Sequence, residues 1–508
     1  MDRVLARPVA SVTTALAVIA ACAIAFVGAD VRATPVRGDQ HAHRYSHPQL
    51  PLGLESFAAP PEAGTMLRGP ATIRHFQGGR GAKRVRGTGV GRTIYTGVTA
   101  FEPTMGIDKK GNIFYQGAEL PTPHPFPIVV VSRDGGRSWD EVTPQTHALT
   151  QDPFLYVDAR TGRTFTADLQ DPACATVSHT DDVGRSWTTS EACGLNDHQN
   201  ISAGPPVTSP TVGYPNVVYM CAVDAGLGTY STVSACLKSL DGGITWVRTG
   251  SPAYTADPRH EQGNFGIPGL CGGTTGHGYV DSKGTLYLPS GWCGQPYLAI
   301  SKDEGATWER IQVADNGMPG IEGGEFEHEA AVAVDATGNI YYFWTARNRL
   351  PYLAVSRDEG KSFSKPMMVG PPGLKEAWGP TMDVGATGKI ALAYIGSTNA
   401  PGGKSPTGRG PLYKTVTWNG YITTSIDALS NKPRFFTASV NRASDPLMRG
   451  ECGAVRCGVQ YDFIDVVIDP DGRPWTAMVD GCPAPGGPCG DPLGAGVVGT
   501  VIGGHRLR

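Results

Sequence analysis

One eight-residue pattern occurs five times and limits what this chain can become. Its first occurrence is Ser132-Arg133-Asp134-Gly135-Gly136-Arg137-Ser138-Trp139, and it returns at Thr180–Trp187, Ser239–Trp246, Ser301–Trp308 and Ser356–Phe363. The shared frame is Ser/Thr-x-Asp-x-Gly-x-Ser/Thr-aromatic. Each residue type has a physical task. The Asp carboxylate accepts hydrogen bonds from backbone N–H groups just ahead of it and closes a tight turn. The Gly takes a positive φ without steric cost. The hydroxyls add bonds, and the aromatic ring anchors the turn against a neighbouring sheet. With apolar runs such as Val129-Val130-Val131 alongside, each copy reads as the turn of a β-hairpin.

Successive Asp positions, 134, 182, 241, 303 and 358, are 48, 59, 62 and 55 residues apart. A supersecondary unit returning at such intervals, with insertions, is the mark of a β-propeller blade. The repeat resembles the Asp-box, or bacterial neuraminidase repeat, of the sialidase-like β-propellers. That resemblance implies an all-β chain, a propeller of four-stranded antiparallel sheets joined by Asp-box turns. In that family the boxes lie on the face opposite the active site. Asp134, Asp182, Asp241, Asp303 and Asp358 are therefore expected to be structural. The fold serves hydrolases, binding proteins and assembly factors alike, so it does not by itself name an activity.

A second repeat counts the blades. Ile107–Phe114 reads as a strand end, an Asp-containing polar turn with Gly, and a new strand. It returns at Val157–Phe165, Val280–Tyr287, Val334–Tyr341 and Ile468–Trp475. Met382–Leu392 is a looser copy around Gly388, and Thr208–Tyr219 fills the slot without the Asp. Seven blades are favoured, and six with an accessory hairpin stays open. In the sixth unit Asn419-Gly420 stands where the box would be and is expected to turn a hairpin. A last strand at Gly496–Val501 is expected to close the ring against one near Ile94, removing free edges.

The first 29 residues carry Arg3 and Arg7 ahead of an uncharged run from Val9 to Ala29, as a secretory signal does. An uncleaved anchor, or a lipoprotein through Cys22, are the alternatives. Residues 30–89 read as a flexible lead-in with His41, His43 and His47, and 90–508 as the propeller. Ten of the eleven cysteines then fall as neighbours: Cys174 and Cys193, Cys221 and Cys236, Cys271 and Cys293, Cys452 and Cys457, Cys482 and Cys489. Disulfides fit an exported chain, and zinc does not, since no Cys-x-x-Cys occurs. A net charge of −3 argues against nucleic acid as a partner. No cofactor or metal is expected, nor a membrane span in the mature chain, and the expected state is a monomer.

If each first strand ends at its Asp-Gly turn, its start lies on the opposite, functional face. Nine or ten residues before each turn Gly stand Glu102, Asp152, Glu329 and Asp462, with His328 adjacent and His277 nearby. Such acids should converge near the axis, either to hold backbone and trapped water or to touch a ligand. Loops of the same face carry Pro258–Asn264, Arg347, Arg349, Arg409 and Arg449, and Arg suits bidentate carboxylate recognition. The resemblance implies three arginines on a sialic acid carboxylate, a Tyr nucleophile with a Glu partner, and an Asp acid/base. The family's first arginine lies in a Phe/Tyr-Arg-Ile-Pro motif that this chain lacks; Ile73-Arg74-His75 is the nearest stretch. No catalytic residue carries over, and none of the eighteen Tyr is singled out. The expected function is glycan or other extracellular ligand binding on the open face, the alternative an exo-sialidase-type hydrolase.

Overall fold

The strands of this chain run apolar rather than alternating, as Ala330–Val334 and Ile340–Thr345 do, and every residue in both is buried. Such strands need cover on both faces, which stacked sheets supply. The computed structural model describes residues 73–75, 89–119, 126–146, 150, 152–169, 174–224, 233–255, 271, 275–317, 320–321, 324–325, 330–401, 415–442, 444–450, 460, 462–482 and 494–508. All fall in the compact unit Pro60–Arg508.

The regular structure is all-β, in antiparallel meanders. One four-stranded sheet runs Pro153–Val157, Thr164–Leu169, Cys174–Thr180, Thr188–Cys193; the next runs Leu195–Gly204, Val217–Asp224, Ser234–Ser239, Val247–Arg248. Tyr279–Val280, Leu286–Ser290, Tyr297–Ser301 and Glu309–Gln312 form another, and Ala330–Val334, Ile340–Thr345, Pro351–Ser356 and Met367–Met368 a further one. Then come Glu376–Val384, Ile390–Ser397, Thr417–Ser425 and Phe436–Ser439, with Met448–Arg449 added beside the third strand.

Besides a two-stranded ribbon of Gly320–Ile321 and Gly324–Glu325, there is a sheet of eight strands, which the two ends of the chain share. Asp465–Ile468, Pro474–Asp480 and Gly494–Ile502 lead into the long strand Val90–Ile107, which continues through Ile113–Glu119, Phe126–Ser132 and Asp140–Glu141, and Ile73–His75 pairs beside Val90–Ile107 as the eighth. The first half of Val90–Ile107 pairs with the C-terminal strand, with Ile94 opposite Val498, and the second half pairs with Ile113–Glu119.

First strands of successive sheets touch in a closed cycle. Val90–Ile107 meets Pro153–Val157, then follow Leu195–Gly204, Tyr279–Val280, Ala330–Val334, Glu376–Val384 and Asp465–Ile468, which meets Val90–Ile107 again. Sheets ordered this way around an axis are a β-propeller. The layers between sheets hold the core, including the fully buried Trp344, Trp378 and Trp418. Several outer strands, among them Asp140–Glu141, Val247–Arg248 and Met367–Met368, are two residues long, which leaves little edge for another chain to pair with.

The five Ser/Thr-x-Asp turns share one bonding scheme. In the third, Ser239 Oγ donates to Asp241 Oδ1 at 2.7 Å and accepts from Gly243 N at 2.7 Å. Thr245 donates its N–H to Oδ1 at 2.9 Å and its hydroxyl to Oδ2 at 2.6 Å. The same four bonds recur around Asp134, Asp182, Asp303 and Asp358. The Ser186 hydroxyl and N–H, the strongest influences on Asp182, help to hold its carboxyl down at about 2.

Asn419-Gly420 does not turn a hairpin, contrary to the sequence expectation. Both residues lie inside Thr417–Ser425, with Asn419 opposite Gly396 and Gly420 opposite Ile395. The strand instead ends at an Asp turn the sequence reading passed over. Ser425 Oγ donates to Asp427 Oδ1 at 3.2 Å, and Arg434 N donates to the same oxygen at 2.9 Å.

These turns dock on the first turn of the preceding sheet. Arg163, between two strands of its sheet, donates to the Gly242 carbonyl of the next sheet's turn at 2.8 Å. The strongest such clasp is Glu304, whose side chain is fully buried. Its Oε1 accepts from the N–H groups of Val207, Thr208 and Ser209 at 2.7, 2.8 and 3.1 Å, and Oε2 accepts from Lys238 Nζ at 2.8 Å. Burial alone would raise its carboxyl, but these donors hold it far below the usual range. Glu304→Ala strands three N–H groups and a lysine, so a loss of about 3 kcal/mol is expected. Urea unfolding measures it, and a midpoint equal to wild type would contradict the clasp.

Disulfides join Cys174 to Cys193, Cys221 to Cys236 and Cys271 to Cys293. The first two link residues directly opposite on neighbouring strands. Cys482 is also disulfide-bonded. Cys452, Cys457 and Cys489, and with them the last two expected pairs, lie outside the described residues.

Candidate functional site

A repeated irregularity brings polar side chains to the axis. Val90–Ile107 shifts register between Phe101 and Thr104, Leu195–Gly204 between Asn196 and Asn200, and Glu376–Val384 between Trp378 and Thr381. At each shift one residue takes a positive φ: Glu102 at 51°, His198 at 60° and Gly379 at 62°. A bulge of this kind adds a residue to one strand, or two at His198, and re-aims a side chain.

Two residues on, each strand is back in register and grips another sheet. Thr104 Oγ1 accepts from Leu155 N at 2.8 Å, Asn200 Nδ2 donates to Thr275 Oγ1 at 3.3 Å, and Thr381 Oγ1 donates to Asp465 Oδ1 at 3.3 Å. Nothing in the hydrophobic pattern marked these bulges; the prolines after Glu102 and Gly379 were the available signal.

Glu102, Asp152 and Asp462 come together. Each offers a carboxylate oxygen, these oxygens lie within 4.8 Å of one another, and all three residues are buried. Aromatic rings pack edge-on or tilted around the same axis. Phe154, two residues after Asp152, lies 5.6 Å from Phe463, the residue after Asp462. The His198 ring centroid is 4.5 Å from Phe463, and the His277 centroid is 5.8 Å from Phe154. These contacts join sheets that are not neighbours in the cycle, which only the centre of a ring permits. Gln199 Nε2 donates to the Asp152 carbonyl, fastening the third sheet's strand to the cluster.

His277 is stitched into the neighbouring sheet. Its N–H donates to Ala330 O at 3.2 Å and its carbonyl accepts from Val332 N at 3.3 Å. Its Nδ1 faces Asp465 Oδ1 at 3.9 Å. Burial pushes the imidazole down to about 4 and the Asp465 carboxyl up to about 7, so near pH 6 both are neutral. Asp465 also accepts from Val466 N at 2.7 Å and Met105 N at 3.3 Å. Asp168, which accepts from Gln116 Nε2 at 2.9 Å, is raised by burial to about 7 as well. Neither Asp465 nor Asp168 was singled out from the sequence. Both lie within strands, and only the tertiary burial of those positions makes them unusual.

The other candidates are spread out. Arg347 and Arg449 are exposed. Arg349 is buried, at φ 60°, and its carbonyl accepts from Ala377 N at 2.7 Å, tying its loop to the strand Glu376–Val384. Its guanidinium has no hydrogen bond or ion pair among the described residues. His328, Glu329, Arg409, Pro258–Asn264 and His41, His43 and His47 lie outside the described residues.

No protein-family model matches the sequence, and no curated protein matches it. Solved structures do resemble the fold. A protein of unknown function from Dyadobacter fermentans is 15% identical, with a TM-score of 0.40 over 79% of this chain and 95% of that one. The lectin BP39L of Burkholderia pseudomallei is 10% identical, with a TM-score of 0.46 over 76% of this chain and 93% of that one. An alpha-L-arabinanase of Penicillium chrysogenum, complexed with arabinobiose, is 13% identical, with a TM-score of 0.38 over 58% and 88%.

Proposed function

We propose that this protein is a secreted, sialidase-like propeller of seven blades that binds a glycan at the axial end of its first strands. The five Ser/Thr-x-Asp turns would be Asp-boxes and would frame the opposite face. The observation that carries the reading is the meeting of Glu102, Asp152 and Asp462 above the Phe154–Phe463 contact. Carboxylates take hydroxyl donors, and apolar rings accept the C–H face of a sugar. The disulfides suit an oxidising compartment.

A second reading is a glycoside hydrolase. Asp465, held protonated up to about pH 7 by its burial, is the observation that favours it, because such a carboxyl can deliver a proton to a leaving group. The buried Arg349 would then suit an acidic sugar.

Glu102→Gln keeps the side-chain shape and removes one charge. On a glycan array and by calorimetry, the variant is expected to bind at least about tenfold more weakly than wild type, or about 1.4 kcal/mol. Under the hydrolase reading, turnover of a fluorogenic sialoside collapses as well. A wild type that neither binds glycans nor cleaves sialosides would leave the acids as channel-lining structure.

A further inference from the structure

We infer that the axial acid cluster is a calcium site. Among the described residues, Glu102, Asp152 and Asp462 are the one set of His, Cys, Asp or Glu side chains spaced to share an ion. Calcium binds oxygen at about 2.3–2.6 Å, so two oxygens on one ion lie up to about 5 Å apart. The 4.8 Å limit meets that condition.

Gln199 supplies a second and independent observation. The residue is 1% exposed, and its Oε1 is buried with no hydrogen-bond partner. The nitrogen of the same amide is fastened to the carbonyl of Asp152, so the orphaned oxygen is held beside the cluster. A buried amide oxygen without a donor is costly, and a cation removes the cost.

The donor set is therefore three carboxylates and one amide oxygen, with neither sulfur nor imidazole. All-oxygen ligation suits calcium and disfavours zinc or copper. The five Asp turns do not compete for the ion, because each aspartate already takes hydrogen bonds at both oxygens. The bulge at Glu102 contributes directly. It turns that side chain out of the strand's alternation, and the four ligands come from four different stretches of chain.

This inference rests on the axial site proposed above to bind glycan. A cation there neutralises the acids and offers open coordination positions to vicinal sugar hydroxyls. The test contains no glycan, so calcium binding and glycan binding can fail separately. The full chain, stripped with EDTA and dialysed, is titrated with calcium chloride alone by calorimetry, and its Tm is read with and without the ion. One equivalent is expected to bind with a Kd between about 10⁻⁵ and 10⁻³ M, as in extracellular and sensor sites.

Glu102→Gln and Asp462→Asn are each expected to weaken binding at least about tenfold and to remove the Tm rise. In the metal-free state both variants should melt at or above wild type, since each relieves like-charge repulsion. A purely structural acid would instead lower Tm with or without calcium. Absence of binding to wild type overturns the proposal. So does calcium binding that survives both substitutions. A Tm rise given by ethylammonium chloride and not by calcium would make the site an ammonium cage and overturn it equally. If one variant fails to fold, the wild-type titration and the other variant still decide.

Discussion

Deleting residues 494–508 is expected to abolish the cooperative fold, not merely weaken it. The strand Gly494–Ile502 lies between Pro474–Asp480 and Val90–Ile107 and pairs with both, so its loss opens two edges at once. It also uncovers Ile94, Met478 and Val479, all buried behind it. The last residues fasten a further sheet. Leu507 is fully buried, its carbonyl accepts from Ala386 N at 2.7 Å, and Arg508 Nη2 donates to Ile468 O at 2.8 Å. The approach is so close that a Cβ on Gly385 would stand 1.8 Å from the Leu507 carbonyl oxygen.

A domain holds about 5–15 kcal/mol of net stability in total, and the loss of a central strand with its apolar cover exceeds that. Circular dichroism during heating reads the outcome. A sharp transition within a few degrees of the full chain would mean that the ring does not depend on this closure.

What could be read from the sequence was what short stretches of chain determine alone. The Asp turns bond within eight residues, and Cys174–Cys193 and Cys221–Cys236 are cross-strand neighbours within a single hairpin. Glu102, Asp152 and Asp462 were reached by counting nine or ten residues back from turn glycines, while Glu329, reached the same way, lies outside the described residues. The pairing of Ile94 with Val498 was legible because the last strand, around Val497-Val498, needs a partner, and closing the ring puts that partner at the propeller's first strand.

The failures came where distant packing overrules local preference. Asn-Gly is a strong turn signal, yet Gly420 sits mid-strand, where a Cβ would come within 2.4 Å of Met478 Sδ and 2.6 Å of Val440 Cγ2. It is glycine for closeness of approach, not for a turn. The Asn419 carboxamide is likewise taken up across the sheet, accepting from Asn441 Nδ2 at 2.7 Å. The bulges at Glu102, His198 and Gly379 were missed because two residues against one, or three against one at His198, leave no trace in strand periodicity.

The relative stability of Asp465→Asn is expected to climb with pH, by about 4 kcal/mol between pH 4 and pH 8. The carboxyl is held at about 7 in the folded protein, first by burial and then by the nearby Asp383, against an ordinary value of 3.8. Between those values the folded protein keeps a proton that the unfolded chain has released. Stability therefore falls as pH rises through that window, and about 3 units correspond to about 4 kcal/mol. Asparagine cannot ionise, so the variant lacks this slope.

His277 runs the other way. Its folded value of about 4 lies below the ordinary 6.5, so its contribution is lost as pH falls through that interval. In wild type the two slopes partly cancel, which is why variant and wild type must be compared at each pH. Asp168 keeps its own downward slope in both proteins and drops out of the difference. Urea unfolding at pH 4, 5, 6, 7 and 8 measures the effect. Parallel curves for the two proteins would mean that Asp465 ionises at its ordinary value, and the neutral His277–Asp465 pair, with the proton donor of the hydrolase reading, would go with it.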